Sequence, residues 1–147
     1  MTNDNQITLR QGLEQFRATH EVYLSHSQKG VSPEAQAFFA SHDIAHVLFG
    51  CDISLFGEGS VKMWTIFGTT LGLWKHLKGY QEANAFELSK EFGLTHILRN
   101  IFKFLVYIPI LIIRAKRMHK PWPWSQYEVF LDTPIDQIRR EFNIQII

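Results

Sequence analysis

The chain has a single cysteine, Cys51, in 147 residues, which excludes an internal disulfide and any cysteine-rich zinc module and is compatible with a reducing compartment. It also lacks a long apolar run. The longest, FLVYIPILII over residues 104–113, contains Pro109 and falls well short of the roughly 20 residues a membrane-spanning helix needs. There is no alternating apolar and polar stretch that would argue for a strand, no internal repeat and no low-complexity tract. The opening MTNDNQITLRQGLEQFR has an early acidic residue and no apolar core, so it reads as neither a secretory signal nor a transit peptide, and the chain is expected to act where it is made. Finally, residues 99–120 contain no Asp or Glu at all.

What is present is bulky and apolar. Hydrophobic residues make up 46% of the chain, with twelve Phe and four Trp, enough to bury a core in one domain spanning residues 1–147. The net charge of +1 conceals an asymmetry: residues 1–74 carry four Lys or Arg against seven Asp or Glu, and residues 75–147 carry eleven against seven. The positive charge gathers in RNIFKFLVYIPILIIRAKRMHK, residues 99–120, a segment both apolar and basic that suits contact with an anionic membrane surface. No nucleic-acid partner is expected.

Helical periodicity dominates, and the predicted fold is all-α, one compact bundle of about six to seven helices. Leu9, Leu13, Phe16 and Tyr23 mark the first helix. Ser32 as N-cap, Pro33 at the first helical position and Glu34 near the dipole's positive end open a second, which runs to Gly50 with Phe38, His42, His46 and Phe49 in one stripe. VKMWTIFGTTLGLWKHL, residues 61–77, predicts a buried third helix whose Gly68 and Gly72 permit close approach of a partner. A short helix over 81–92 and the basic apolar helix to about Met118 follow. KPWPW is a loop, with its tryptophans read as packed, Ser125 and Glu128 form a capping-box pattern, and Thr133, Pro134 and Asp136 open a last helix.

The chemistry concentrates in SHDIAHVLFGCDISLFGE, residues 41–58. His42 and His46 stand one helical turn apart on one face, the spacing at which two imidazoles grip one metal ion, and Asp43 lies on the flank of the same arc. Taken singly, each of these groups is more simply a hydrogen-bonded core residue. Together with Glu58, predicted to arrive from a glycine-introduced turn, they bring two carboxylates into an apolar setting, which costs several kcal/mol each unless a cation accompanies them. The candidate ligands are therefore His42, Asp43, His46 and Glu58. Two nitrogens and two carboxylate oxygens suit zinc, and the two His with one carboxylate also suit iron(II).

A zinc protease would need the longer Glu at position 43, placed to activate water. The literal His42-Asp43 pair also suggests a soluble His-Asp phosphohydrolase, which would require an upstream His, His20 or His26, and a late Asp such as Asp132. Cys51 reads as a small buried side chain rather than a nucleophile.

His42-Asp43-x-x-His46 followed by eleven residues and Glu58 resembles the metal signature of the coenzyme Q biosynthesis protein 4 family. RAKRMHKPWPW and YEVFLDTPIDQIRREFNI resemble that family's C-terminal pattern, so the likeness spans about residues 8–144. The absence of the longer N-terminus of mitochondrial members points to a bacterial relative. The resemblance implies an all-α peripheral membrane protein on the cytoplasmic face of the inner membrane, with bound zinc at His42, Asp43, His46 and Glu58 beside an apolar channel for an isoprenoid tail. It further implies a role in ubiquinone biosynthesis on a prenylated aromatic acid, whose ring carboxylate is replaced by hydroxyl, with Glu58 and Asp43 in catalytic positions. Implied partners are the prenylated quinone precursor, other quinone-biosynthesis enzymes and a second copy in a homodimer. The alternative the resemblance leaves is a non-catalytic prenyl-lipid scaffold.

Overall fold

The computed structural model describes residues 7–21, 32–73, 75 and 94–146, with no side-chain description for 94–101. Five α-helices and one short 3-10 helix appear among them: α1 (Leu9–Thr19), α2 (Pro33–Phe49), α3 (Leu55–Gly68), α4 (Leu94–Lys116), the 3-10 turn Tyr127–Phe130 and α5 (Ile135–Phe142). The all-α reading holds, and among the described residues five α-helices stand against the six to seven expected of the whole chain. The predicted helix over 81–92 lies outside the described residues, as does Tyr23.

Each helix begins where the chain supplies partners for its first amides. Thr8 caps α1 in a reciprocal box with Gln11, and the amides of Leu9 and Arg10 donate to the carbonyls of Thr133 and Leu131. Those bonds join α1 to the approach of α5. Ser32 Oγ accepts from Ala35 N at 3.2 Å, Pro33 takes the first helical position, and Gly50 closes α2 in the left-handed region at φ 66°. The opening and end of α2 are thus as the sequence predicts.

The third helix is displaced. It starts at Leu55, capped by Ser54, and stops at Gly68, because Thr69 is extended and its strand-like bridge to Trp122 takes over the backbone bonding. Residues 69–73 are therefore not part of it. Gly68 does meet a partner helix, since a β-carbon there would stand 3.7 Å from Ala115 Cβ in α4 and 3.1 Å from Met118 Sδ just beyond it, whereas one on Gly72 would meet nothing within 4 Å. The expected capping box at Ser125 and Glu128 does not form either. The turn begins at Tyr127 without a side-chain cap, and what holds the segment is the burial of Trp122 and Trp124.

The core is aromatic. Phe49 and Trp64 stack with ring centroids 4.7 Å apart and planes 4° from parallel, locking α2 to α3. Trp122 meets Phe130 and Phe142 at 4.9 and 5.2 Å, and Trp124 meets Phe38 at 5.5 Å, so the WPW loop is a packed anchor. Helix α4 continues through Pro109, which lies on an exposed face where the carbonyl deprived of its amide partner can be hydrated.

Candidate metal centre

The site is built on α2 and on the first turn of α3. His42 and His46 project from α2 in an edge-to-face pair with centroids 4.7 Å apart. Glu58 approaches from the N-terminal turn of α3, where the helix dipole favours a carboxylate, rather than from a turn as predicted. Its Oε1 lies 3.3 Å from His46 Nε2 and its Oε2 lies 3.9 Å from His42 Nε2, so the carboxylate straddles the two rings.

Two glycines bring Glu58 this close. A β-carbon on Gly57 would stand 2.1 Å from the carbonyl oxygen of Asp52, and one on Gly59 would stand 1.6 Å from Phe104 Cζ. Only hydrogen fits at either position, so the residues flanking Glu58 let α3 press against the 51–54 loop on one side and α4 on the other. Asp52 completes the loop by accepting from Ser54 N and Ser54 Oγ, while Ser54 Oγ accepts from Gly57 N.

The ring of His46 is fixed from behind. Its Nδ1 lies 3.0 Å from the carbonyl of Cys51, and since a carbonyl can only accept, Nδ1 carries the proton. Its Nε2 therefore faces Glu58, and between a lone pair and a carboxylate only a cation can sit, a proton or a metal ion. Burial pushes the His46 imidazolium down, but the hydrogen bond and charge of Glu58 outweigh it and hold the group above its ordinary value. Burial likewise pushes Glu58 up, while the hydrogen bond from His46 and the charges of His42, His46 and Lys62 hold it below the usual carboxylate range. Phe16 stacks on His46 at 5.2 Å, and Phe38 on His42 at 6.4 Å.

These residues fit a divalent ion. Ligands at 2.0–2.1 Å on tetrahedral corners stand about 3.4 Å apart, close to the 3.3 Å between His46 Nε2 and Glu58 Oε1. The ligand atoms of His42, His46 and Glu58 all lie within 4.8 Å of one another. Three of the four predicted ligands are thus brought together.

Asp43 does not join them. Its buried carboxylate accepts from Arg17 Nε at 2.9 Å, and burial raises its pKa against the opposing pull of Arg17 and His46. The helix arc places Asp43 to the side of the two rings, and α1 supplies Arg17 to meet it there. The residues a His-Asp phosphohydrolase would need are not assembled among the described residues. Asp132 is exposed on Arg10 and His20 packs edge-on against Phe16, while His26 lies outside the description.

Two contributors were not read from the sequence. Arg17 is one. Arg139 is the other: its Nε and Nη2 donate to the carbonyls of Leu48 and Val47, each at 2.9 Å, satisfying the end of α2 just beyond His46. Neither partner is within twenty residues in sequence, so no local pattern announces it. Cys51 is partly buried, and its thiol is pushed up to about 12 by that burial with help from Asp52 and Glu58, in line with the non-nucleophilic reading.

Fold and site together define a helical domain with a buried two-histidine, one-carboxylate cluster. Comparison with protein-family models, with curated proteins and with solved structures found no match.

Proposed function

We propose that the chain is a metal-dependent ubiquinone-biosynthesis protein, acting at a membrane surface on a prenylated aromatic acid and replacing the ring carboxylate by hydroxyl. The observation that carries this reading is the three-ligand cluster of His42, His46 and Glu58. Three protein ligands leave a fourth position for a substrate oxygen, the arrangement of catalytic rather than structural zinc sites. A divalent ion held there, zinc or alternatively iron(II), supplies Lewis acidity toward a phenolate or carboxylate.

The chain's own residues do the rest. Glu58 is the most exposed of the three ligands and the one carried by a different helix, so it is the ligand best placed to yield to substrate. On the side of α3 that faces α4, Phe56 packs on Phe104 at 5.4 Å and on Tyr107 at 5.2 Å, an aromatic surface between the two helices suited to a prenyl tail. The replacement is a two-electron oxidation with dioxygen as co-substrate: a hydroxybenzoic acid, one dioxygen and one water balance as hydroquinone, carbon dioxide and hydrogen peroxide.

Helix α4 supports placement at a membrane. Phe102, Leu105, Val106 and Ile113 are half or more exposed along one stripe, in a helix that also carries Lys103 and Lys116. No helix among the described residues is long and apolar enough to cross a membrane. The same stripe serves the second reading, a non-catalytic prenyl-lipid scaffold with a structural ion.

One experiment separates the two. Organic extraction of the protein from its native host should yield a prenylated aromatic compound, and Glu58→Gln should abolish its turnover while fold and lipid binding persist. Full turnover by the variant rejects the enzymatic reading as stated. Wild type that holds lipid and metal without turnover makes the chain a scaffold.

A further inference from the structure

The Arg17–Asp43 pair is unusual in its geometry. A guanidinium kept only to neutralise a buried carboxylate commonly engages both oxygens through a two-pronged fork. Here the contact is Nε to Oδ2 at 2.9 Å, and among the described residues Arg17 donates through Nε alone, which leaves both Nη groups of a five-donor side chain for something else. Asp43 is almost fully buried, whereas the Arg17 side chain is 44% exposed. The carboxylate is thus an anchor and the guanidinium a presented group.

Its position is tied to the metal cluster from two sides. Asp43 follows His42 directly and precedes His46 by three residues, and it feels the charges of both His46 and Glu58. Phe16, adjacent to Arg17 in α1, stacks on the His46 ring. The last turn of α1 therefore lies over the cluster and carries Arg17 to its edge. With a divalent ion bound, the positive charge of that ion and Arg17 exceeds the negative charge of Glu58 and Asp43, so the cluster with its Arg17–Asp43 pair is left to attract an anion.

We infer that Arg17, aimed by Asp43, is the group that binds the carboxylate of the substrate and so selects an aromatic acid over the corresponding phenol. Asp43 is then a positioning residue: it fixes the guanidinium through Nε and leaves the Nη donors for the ligand. The inference rests on the aromatic-acid reading above, and it gives Asp43 a role other than ligation.

The test uses two probes that differ only in the carboxyl group, a geranylated hydroxybenzoic acid and the matching geranylated phenol, titrated into zinc-loaded full-length protein with metal content measured alongside. Wild type should prefer the acid. Arg17→Gln should weaken acid binding about tenfold or more, the loss expected for a hydrogen bond to a charged group, and leave phenol binding and metal content unchanged. Because Arg17→Gln strands the buried Asp43 charge, the double variant Arg17→Gln/Asp43→Asn is measured as well, and it should keep metal and fold while losing the preference. A double variant that retains wild-type preference overturns the role of Arg17 and leaves the aromatic-acid reading standing. Wild type with metal bound but no preference for the acid overturns both.

Discussion

His46 donates its Nδ1 proton to the backbone carbonyl of Cys51 at 3.0 Å, and this bond decides which ring nitrogen is left to face Glu58. The carbonyl is available because Gly50 turns the chain back in the left-handed region immediately after α2. A candidate metal ligand is thus oriented by main chain rather than by a side chain, so substitution of Cys51 should leave that orientation intact.

The protein should hold about one divalent ion per chain. His46→Ala, which removes the ligand fixed on both nitrogens, should weaken zinc binding by at least about 100-fold, whereas Cys51→Ala should leave it near wild type. Elemental analysis of protein prepared without chelator, followed by competition with a metal-sensitive dye, checks both. Equal metal content in wild type and His46→Ala would remove the cluster as the binding site.

Gly57→Ala should be strongly destabilising, since its added β-carbon meets the backbone of Asp52, which has nowhere to go. A loss of about 2–3 kcal/mol is the scale expected for overpacking, or roughly 4–12 °C in Tm for a domain of this size. Gly59→Ala meets a side chain instead, the ring of Phe104. Part of its cost should therefore be recovered in the Gly59→Ala/Phe104→Leu double variant, a coupling that thermal unfolding of the four proteins would reveal.

Arg139→Met keeps the aliphatic stem but strands the carbonyls of Val47 and Leu48 at the end of α2. It should cost about 1–3 kcal/mol, and Arg139→Lys should not restore the loss, because a single ammonium does not reproduce the two-donor fork. Since His46 lies in the same last turn, zinc affinity should fall in both variants. Unchanged stability in Arg139→Met would show those carbonyls to be satisfied by solvent.

The thiol of Cys51, held up to about 12, should react slowly with iodoacetamide at pH 9 in the folded protein and rapidly once unfolded. The sign for stability follows from linkage. A free cysteine ionises near 8.5, so the folded state binds the proton more tightly, and its stabilising contribution is complete below about pH 8.5 and is lost as pH rises toward 12. Alkylation rates across pH 7–10, with and without denaturant, test the ordering.

Binding to anionic vesicles should depend on Lys103 and Lys116 more than on Arg114 and Lys120. The latter two are engaged within the chain: Arg114 donates to the carbonyls of Gln145 and Ile146, and Lys120 pairs with Glu141 at 2.6 Å. Lys103→Ser/Lys116→Ser should reduce flotation with phosphatidylserine vesicles and blunt its salt dependence, each charge being worth about 1 kcal/mol near such a surface. Equal flotation of wild type and variant would separate the basic charge from membrane attachment.

Much of this was legible in one dimension, for reasons that can be named. The i, i+4 spacing of His42 and His46 puts both rings on one face of any α-helix, and the Ser32-Pro33-Glu34 start and Gly50 stop fix that helix by local chemistry alone. Burial of the WPW tryptophans followed from their size. Ligand type and helix class therefore belong to the sequence itself. The fate of Asp43 did not. Its direction on the helix is local, but whether it meets a metal or a guanidinium depends on which side chain α1 brings across, and Arg17 lies 26 positions away in the chain. The start of α3 was hidden for a similar reason: Gly57 and Gly59 look like helix breakers until Asp52 and Phe104 are seen filling the space where their β-carbons would be. Local patterns record what a residue can do, and only packing between elements distant in sequence decides which partner it finds.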